Sequence, residues 1–264
     1  MNEGMKEFRT GWRIQFRTIH ALMVRDLVMR YGRGNIGFGW TILEPMLLTL
    51  GVMVIWTVMG GHEKSGATAV EMVLTGYMPL TLWRHLTGPV ISMFRNSSSL
   101  LYHRRITLFD LFFSRQLLET IGTTAAFVVI YTTLFLLGMI KGTHDWGLLI
   151  LGWLMMIWIG AAFGAILAAL TEKYDVADHF IQPLQYLNIP ISGAFFMVDW
   201  LPYWAQQAIM WHPLVHVYEV FRSGYFGPMF VTHYDYWYYA AWAFSLSFIG
   251  LGAIYRVRSH VRLQ

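Results

Sequence analysis

The chain has 264 residues, of which 56% are hydrophobic, 17% aromatic and 13% charged, with a formal net charge of +4 and no cysteine. That charged fraction is roughly half the ~25% of a soluble domain, which excludes a water-exposed globular protein and points to lipid as the solvent. Without cysteine there are no disulfides and no thiolate metal sites, and the basic pI near 9.3 implies no nucleic acid, because cations also gather on the cytoplasmic flanks of membrane spans.

The first predicted element runs from Trp12 to Tyr31, where Trp12, Phe16, Ile19, Leu22, Met23, Leu27 and Met29 alternate with arginines including Arg13, Arg17, Arg25 and Arg30. The pattern predicts a cationic amphipathic helix lying in the inner headgroup layer of a phospholipid membrane. Gly32, Gly34, Gly37 and Gly39 then allow a bend before the first apolar run, so residues 1–39 read as a cytoplasmic interface segment and 40–264 as one transmembrane domain. No signal peptide is expected, since that run begins near residue 40, after a cationic segment.

Six charge-poor runs follow, at Trp40 to Gly60, Val70 to Phe94, Ser114 to Ile140, Trp146 to Thr171, His179 to Val198 and Trp237 to Tyr255. Each approaches the ~20 residues of helix that cross a bilayer, although Glu44 interrupts the first and Arg84 the second. With both termini cytoplasmic, sixteen Lys and Arg residues fall on the inner side and three, Lys64, Lys141 and Arg222, on the outer side, as the positive-inside rule requires. Residues 199–236 then form one external segment, too apolar for a plain loop and broken by Pro202 and Pro213. The expected fold is all-α and integral to the membrane: six transmembrane helices, an amino-terminal amphipathic interface helix, and re-entrant external helices before the last span.

The stretch "WHPLVHVYE", residues 211–219, places His212, His216 and Glu219 on one helical face. A zinc hydrolase would carry His-Glu-x-x-His, with the glutamate as general base; here Pro213 follows His212. Proline suits a first helical turn, which makes His212 a cap just outside it. A polytopic metal-dependent or lipid-modifying enzyme using His212, His216 and Glu219 stays an alternative. So does a secondary transporter, for which Glu44 and Glu119 are the nearest intramembrane carboxylates. His216, Glu219 and Arg222 either form a polar ladder inside the hairpin or line the outer mouth of a pore.

Aromatic side chains with polar tips can cover C–H faces while bonding hydroxyls, and Tyr77, Trp83, Tyr186, Phe195, Phe196, Trp200, Tyr203, Trp204, Trp211 and Tyr218 are the candidates; the competing reading is an ordinary interfacial belt. Arg84 and Arg95, cations at or near the inner end of the second run, suit an anionic group such as a phosphate or a carboxylate. Arg25, Arg30, Arg33 and His103, with Glu44, mark the corresponding entrance, unless the arginines simply bind bulk anionic lipid. No GxxxxGK[ST] phosphate loop occurs. If ATP drives this protein, another chain binds it. The one internal cytoplasmic loop long enough for a short helix, Arg95 to Asp110, exposes Leu100, Leu101 and Tyr102 beside Ser99, Arg104 and Arg105.

Three stretches, "RDLVMRYGRGNIGFGWTILEP" (25–45), "LLYHRRITLFDLFFSRQLLET" (100–120) and "WHPLVHVYEVFRSGY" (211–225), together resemble the membrane subunit of bacterial capsular polysaccharide exporters of the type-2 ABC exporter family. Permeases for O-antigen and teichoic acid share the resemblance more weakly. It implies no catalytic residue, metal or cofactor in this chain, two copies of the chain, and two cytoplasmic ATPase subunits that hold ATP and Mg. It implies a lipid-linked acidic polysaccharide as substrate, sliding past the aromatic candidates with its phosphate or acidic sugars met by Arg84 and Arg95, and passed to periplasmic and outer-membrane export proteins. It also makes the loop with Ser99, Leu100, Leu101, Tyr102, Arg104 and Arg105 the coupling helix for the ATPase. The family usually carries Asn where His212 stands, which suits a cap.

Overall fold

Two short signals of the form Thr-x-x-acid start the helices that organise the bundle. Thr68 and Thr107 each accept a bond from the backbone N–H three residues on, and Glu71 and Asp110 reach back to the threonine amides, closing two capping boxes. The computed structural model describes residues 3–31, 36–58, 66–97, 100, 106–174 and 176–261. The α-helices among them are α1 (Glu3–Tyr31), α2 (Ile36–Val58), α3 (Ala69–Thr87), α4 (Leu108–Leu136), α5 (Trp146–Lys173), α6 (Ala177–Ile191), α7 (Tyr203–Ile209), α8 (Pro213–Phe226) and α9 (Tyr236–Val261), with short 3-10 turns at Arg95–Ser97, Val198–Trp200 and Gly227–Met229.

These helices coincide with the expected segments, including short helices inside 199–236. Among the described residues three are long and apolar enough to cross a membrane: α4, α5 and the Tyr236–Arg258 portion of α9. In α2 the apolar part is Ile42–Thr57, and α3 carries Glu71 and Arg84 within its 19 residues. The fifth expected run, His179 to Val198, is cut short. Helix α6 stops at Ile191, because Gly193 takes a φ of +94° that a helix cannot continue.

Helix α3 is the central post. Its Leu74, Met78, Leu82 and Leu86 are wholly buried in a cluster with Phe127 and Ile130 of α4, Trp153 and Met156 of α5, and Val217 and Phe221 of α8. Backbones approach closely at glycines. A Cβ on Gly152 would stand 2.7 Å from Phe221, and one on Gly224 would stand 2.3 Å from the Leu149 nitrogen, so α5 and α8 close on each other only because both positions lack a side chain. At the opposite end of the bundle a second cluster gathers Leu22, Val90, Phe94, Leu108, Phe112, Ala168 and Ile254.

That second cluster anchors α1. Leu22 is buried there, Asp26 lies 3.5 Å from Arg115, and Gln15 donates to the Asp110 carboxylate. The remaining surface of α1 exposes Trp12, Ile14, Phe16, Val24 and Met29, the apolar residues a helix offers to an interface.

Candidate substrate cavity and polar hairpin

Three helices each contribute one stripe to a cavity of about 290 Å³. Helix α2 supplies Glu44 and Leu48, α3 supplies Tyr77, Thr81, Arg84 and His85, and α6 supplies Gln182, Gln185, Tyr186 and Ile189. The spacings of three, four and seven residues are those that align side chains on a helix face. Arg84 is exposed, and its guanidinium carbon lies 5.9 Å from the centre of the Tyr186 ring, within cation–π range. Trp83 backs the wall, buried and stacked on Phe163 at 5.3 Å.

A carboxylate holds the wall from behind. His85 Nδ1 is 2.9 Å from Glu119 Oε2, and Glu119 is 1% exposed. One turn earlier on α4, Gln116 donates to the Leu86 carbonyl at 2.8 Å. The cavity therefore combines a cation, a carboxylate, two amides and three aromatic rings, a set able to bond hydroxyls and carboxylates while covering C–H faces. It joins Glu44 and Arg84, read from the sequence as entrance residues, with Tyr77, Trp83 and Tyr186, read as pore residues. Sequence reasoning missed Gln182 and Gln185; two amides three residues apart in an otherwise apolar run were the available signal.

Arg95 lies apart from this group. Its guanidinium donates to the Thr171 carbonyl at the end of α5 and lies 3.7 Å from the Asp178 carboxylate. Arg25 is half-buried on α1. Arg33, Ser99, Leu101, Tyr102, His103, Arg104, Arg105 and the side chain of Arg30 lie outside the described residues. Leu100 is described and packs against the second apolar cluster.

In the hairpin the polar residues turn to backbone. Arg222, 1% exposed, donates to the carbonyls of Gly193 at 2.8 Å, Ala194 at 2.7 Å and Phe196. Glu219 accepts from the amides of Val198 at 3.2 Å and His233 at 2.9 Å. His216 lies 2.9 Å from the Met210 carbonyl through Nε2, while its Nδ1 accepts from the Asp235 amide at 2.9 Å, which assigns the proton to Nε2. Irregular backbone in an apolar setting needs such partners, and the ladder expected from the three-residue spacing instead runs out to two flanking loops.

His212 stands at the cap position of α8, but its side chain makes no capping bond. Its Nε2 reaches Asn188 Oδ1 at 2.8 Å, tying α8 to the end of α6. Burial, then the neighbouring His216, push its pKa down to about 4, and burial lowers that of His216 as well. His212, His216 and Glu219 thus point to three separate sets of partners, and among the described residues no three His, Asp or Glu side chains converge as a metal-ligand set.

The other aromatics divide by exposure. Tyr203, Trp204 and Trp211 are each about three-quarters exposed, at 76%, 75% and 76%. Phe195 stacks on Trp56 at 6.1 Å, Trp200 meets Phe230 edge-on at 6.3 Å, and Phe196 is half-buried. Tyr218 is buried, with Arg222 5.6 Å from its ring centre.

The sequence pattern of the ABC-2 type transporter family matches residues 17–226. The chain is 36% identical over 226 residues to the capsule polysaccharide export inner-membrane protein BexB of Haemophilus influenzae, covering 86% of this chain and 85% of that protein. It is 35% identical over 251 residues to the capsule polysaccharide export inner-membrane protein CtrC of Neisseria meningitidis serogroup A, 95% of each. It is 25% identical over 261 residues to the polysialic acid transport protein KpsM of Escherichia coli, 97% of this chain and 98% of that protein. An all-helical bundle with long apolar helices, a family pattern over most of its length and relatives aligned nearly end to end lead to one conclusion: this chain belongs to the ABC-2 type transporter family of membrane proteins.

Proposed function

We propose that the chain is the permease subunit of an ATP-driven exporter that moves lipid-linked capsular polysaccharide outward across the bacterial inner membrane. The observation that carries the reading is the alignment with capsule export inner-membrane proteins over 86% to 95% of the chain. Two copies face each other, each with a cytoplasmic ATPase subunit, and both termini lie in the cytoplasm. ATP and Mg belong to the ATPase, since the chain has no phosphate loop. The loop around Leu100 and Leu101 seats in that partner. The cavity of Glu44, Arg84, Tyr77 and Tyr186 receives the anionic end of the glycan, with the guanidinium on phosphate or sugar carboxylate and the rings on sugar C–H faces. The exposed aromatics of the hairpin lie at the outer mouth, where the polymer passes to periplasmic and outer-membrane export proteins.

The test is purification of the tagged chain from native membranes, followed by reconstitution. A stoichiometric partner bearing a phosphate loop, lost on substituting Leu100 and Leu101 with alanine, and glycan export that stops with Arg84→Ala while the complex stays assembled, are the expected results. A chain that purifies alone and supports no ATP-dependent export would refute the reading.

A further inference from the structure

Four contacts converge where the segment after α3 meets the start of α6. The Ser92 amide donates to Thr171 Oγ1 at 3.0 Å, and the Ser92 hydroxyl donates to the Asp178 carboxylate. Arg95 donates to the Thr171 carbonyl and lies 3.7 Å from the same carboxylate. Ser92 has a φ of +54°, the one non-glycine residue with positive φ among those described. A side chain makes that conformation unfavourable, and it persists where surrounding bonds over-determine it. Here the amide and the hydroxyl of Ser92 are both committed.

The knot joins parts of unequal firmness. Thr171 is fully buried at the end of α5, which packs along α3, α8 and α9, so it is the fixed post. On one side, Ser92 and Arg95 lie within a few residues of the segment proposed above to engage the ATPase. On the other, Asp178 sits in the first turn of α6, and Gln182, Gln185, Tyr186 and Ile189 of that helix wall the cavity. Ile181 is the one buried side chain of α6, and Asn188 ties its far end to His212. Little apolar packing resists a movement of α6, while a polar link at its base directs one.

We infer that Ser92, Arg95 and Asp178 are positioning residues that transmit the action of an ATPase on the segment after Ser97 to α6, and so set the width of the cavity. The inference rests on the reading that an ATPase acts on that segment. Linked movements need an element that both sites bias; α6 is that element.

The experiment uses the reconstituted complex of permease and ATPase. Because the chain has no cysteine, Gln182→Cys is a single reporter on the cavity face of α6, read by maleimide labelling without nucleotide and after trapping with ATP and vanadate. The expected result is a labelling rate that changes with trapping. In an added Asp178→Ala variant ATP hydrolysis persists, the trapping-dependent change disappears, and export without the reporter falls about tenfold. Asp178→Glu restores both, and Ser92→Ala with Asp178→Ala is no worse than Asp178→Ala alone. The inference is overturned if labelling is indifferent to trapping while the parent complex hydrolyses ATP and exports, or if Asp178→Ala leaves export intact. It is also overturned if hydrolysis, assembly and export all fall together, which marks a brace. A parent complex with neither hydrolysis nor export overturns the permease reading itself.

Discussion

Arg222 carries the irregular turn between α6 and α7. Its guanidinium serves three carbonyls at Gly193, Ala194 and Phe196, and its removal leaves them buried without donors, so Arg222→Met is expected to cost roughly 3 kcal/mol or more. Arg222→Lys should fail almost as badly, because an ammonium lacks the planar fork that reaches separate acceptors; thermal unfolding of the detergent-purified protein would reveal either loss. His212 gives a pH signature. It sits between α7 and α8, and its folded pKa is lowered from 6.5 to about 4. The unfolded chain therefore binds a proton that the folded chain excludes between those values, so stability is full above pH 6.5 and declines as pH falls toward 4. His212→Asn should soften that decline and change stability at pH 7 by only about 1 kcal/mol, as it trades the Asn188 bond for a good cap. Unfolding midpoints at pH 7 and pH 5 are the measurement.

The helices were legible because lipid imposes length and purity on them. Each of the six apolar runs holds a helix, and α5 starts at Trp146, where its run begins. Ends were less legible where side chains bond backbone. The apolar run begins at Ser114, yet the Thr107–Asp110 box begins α4 at Leu108, because the first turn carries a polar cap that hydropathy does not register. Contacts between helices left even less trace. Gly76 resembles any glycine in an apolar run, but a Cβ there would stand 2.0 Å from the Ala194 carbonyl. Gly76→Ala should therefore destabilise by about 1–3 kcal/mol through overpacking. Gly51→Ala on α2, where nothing lies within 4 Å, should be neutral or gain about 0.5–1 kcal/mol from helix propensity. Comparing the two unfolding midpoints isolates packing from propensity.

For the molecule as a whole, charge placement makes a topological prediction. Trp204 is 75% exposed in the hairpin and Asn96 is exposed at the opposite end of the bundle. In this cysteine-free chain, an impermeant maleimide applied to spheroplasts should label Trp204→Cys and leave Asn96→Cys untouched until the membrane is opened. The reverse pattern would invert the orientation drawn from sixteen inner against three outer cations.

Composition, apolar run length and cation placement belong to single segments meeting lipid or its headgroups, so the sequence alone determined the all-helical class, the order of helices and the short helices of the hairpin. Motifs within single stretches likewise carried the exporter resemblance. The cavity and the knot depend on residues far apart in the chain: Glu44, Arg84 and Gln185 in one, Ser92, Thr171 and Asp178 in the other. Only tertiary packing brought these together, because helical periodicity fixes which face a side chain occupies but not which neighbour that face will meet.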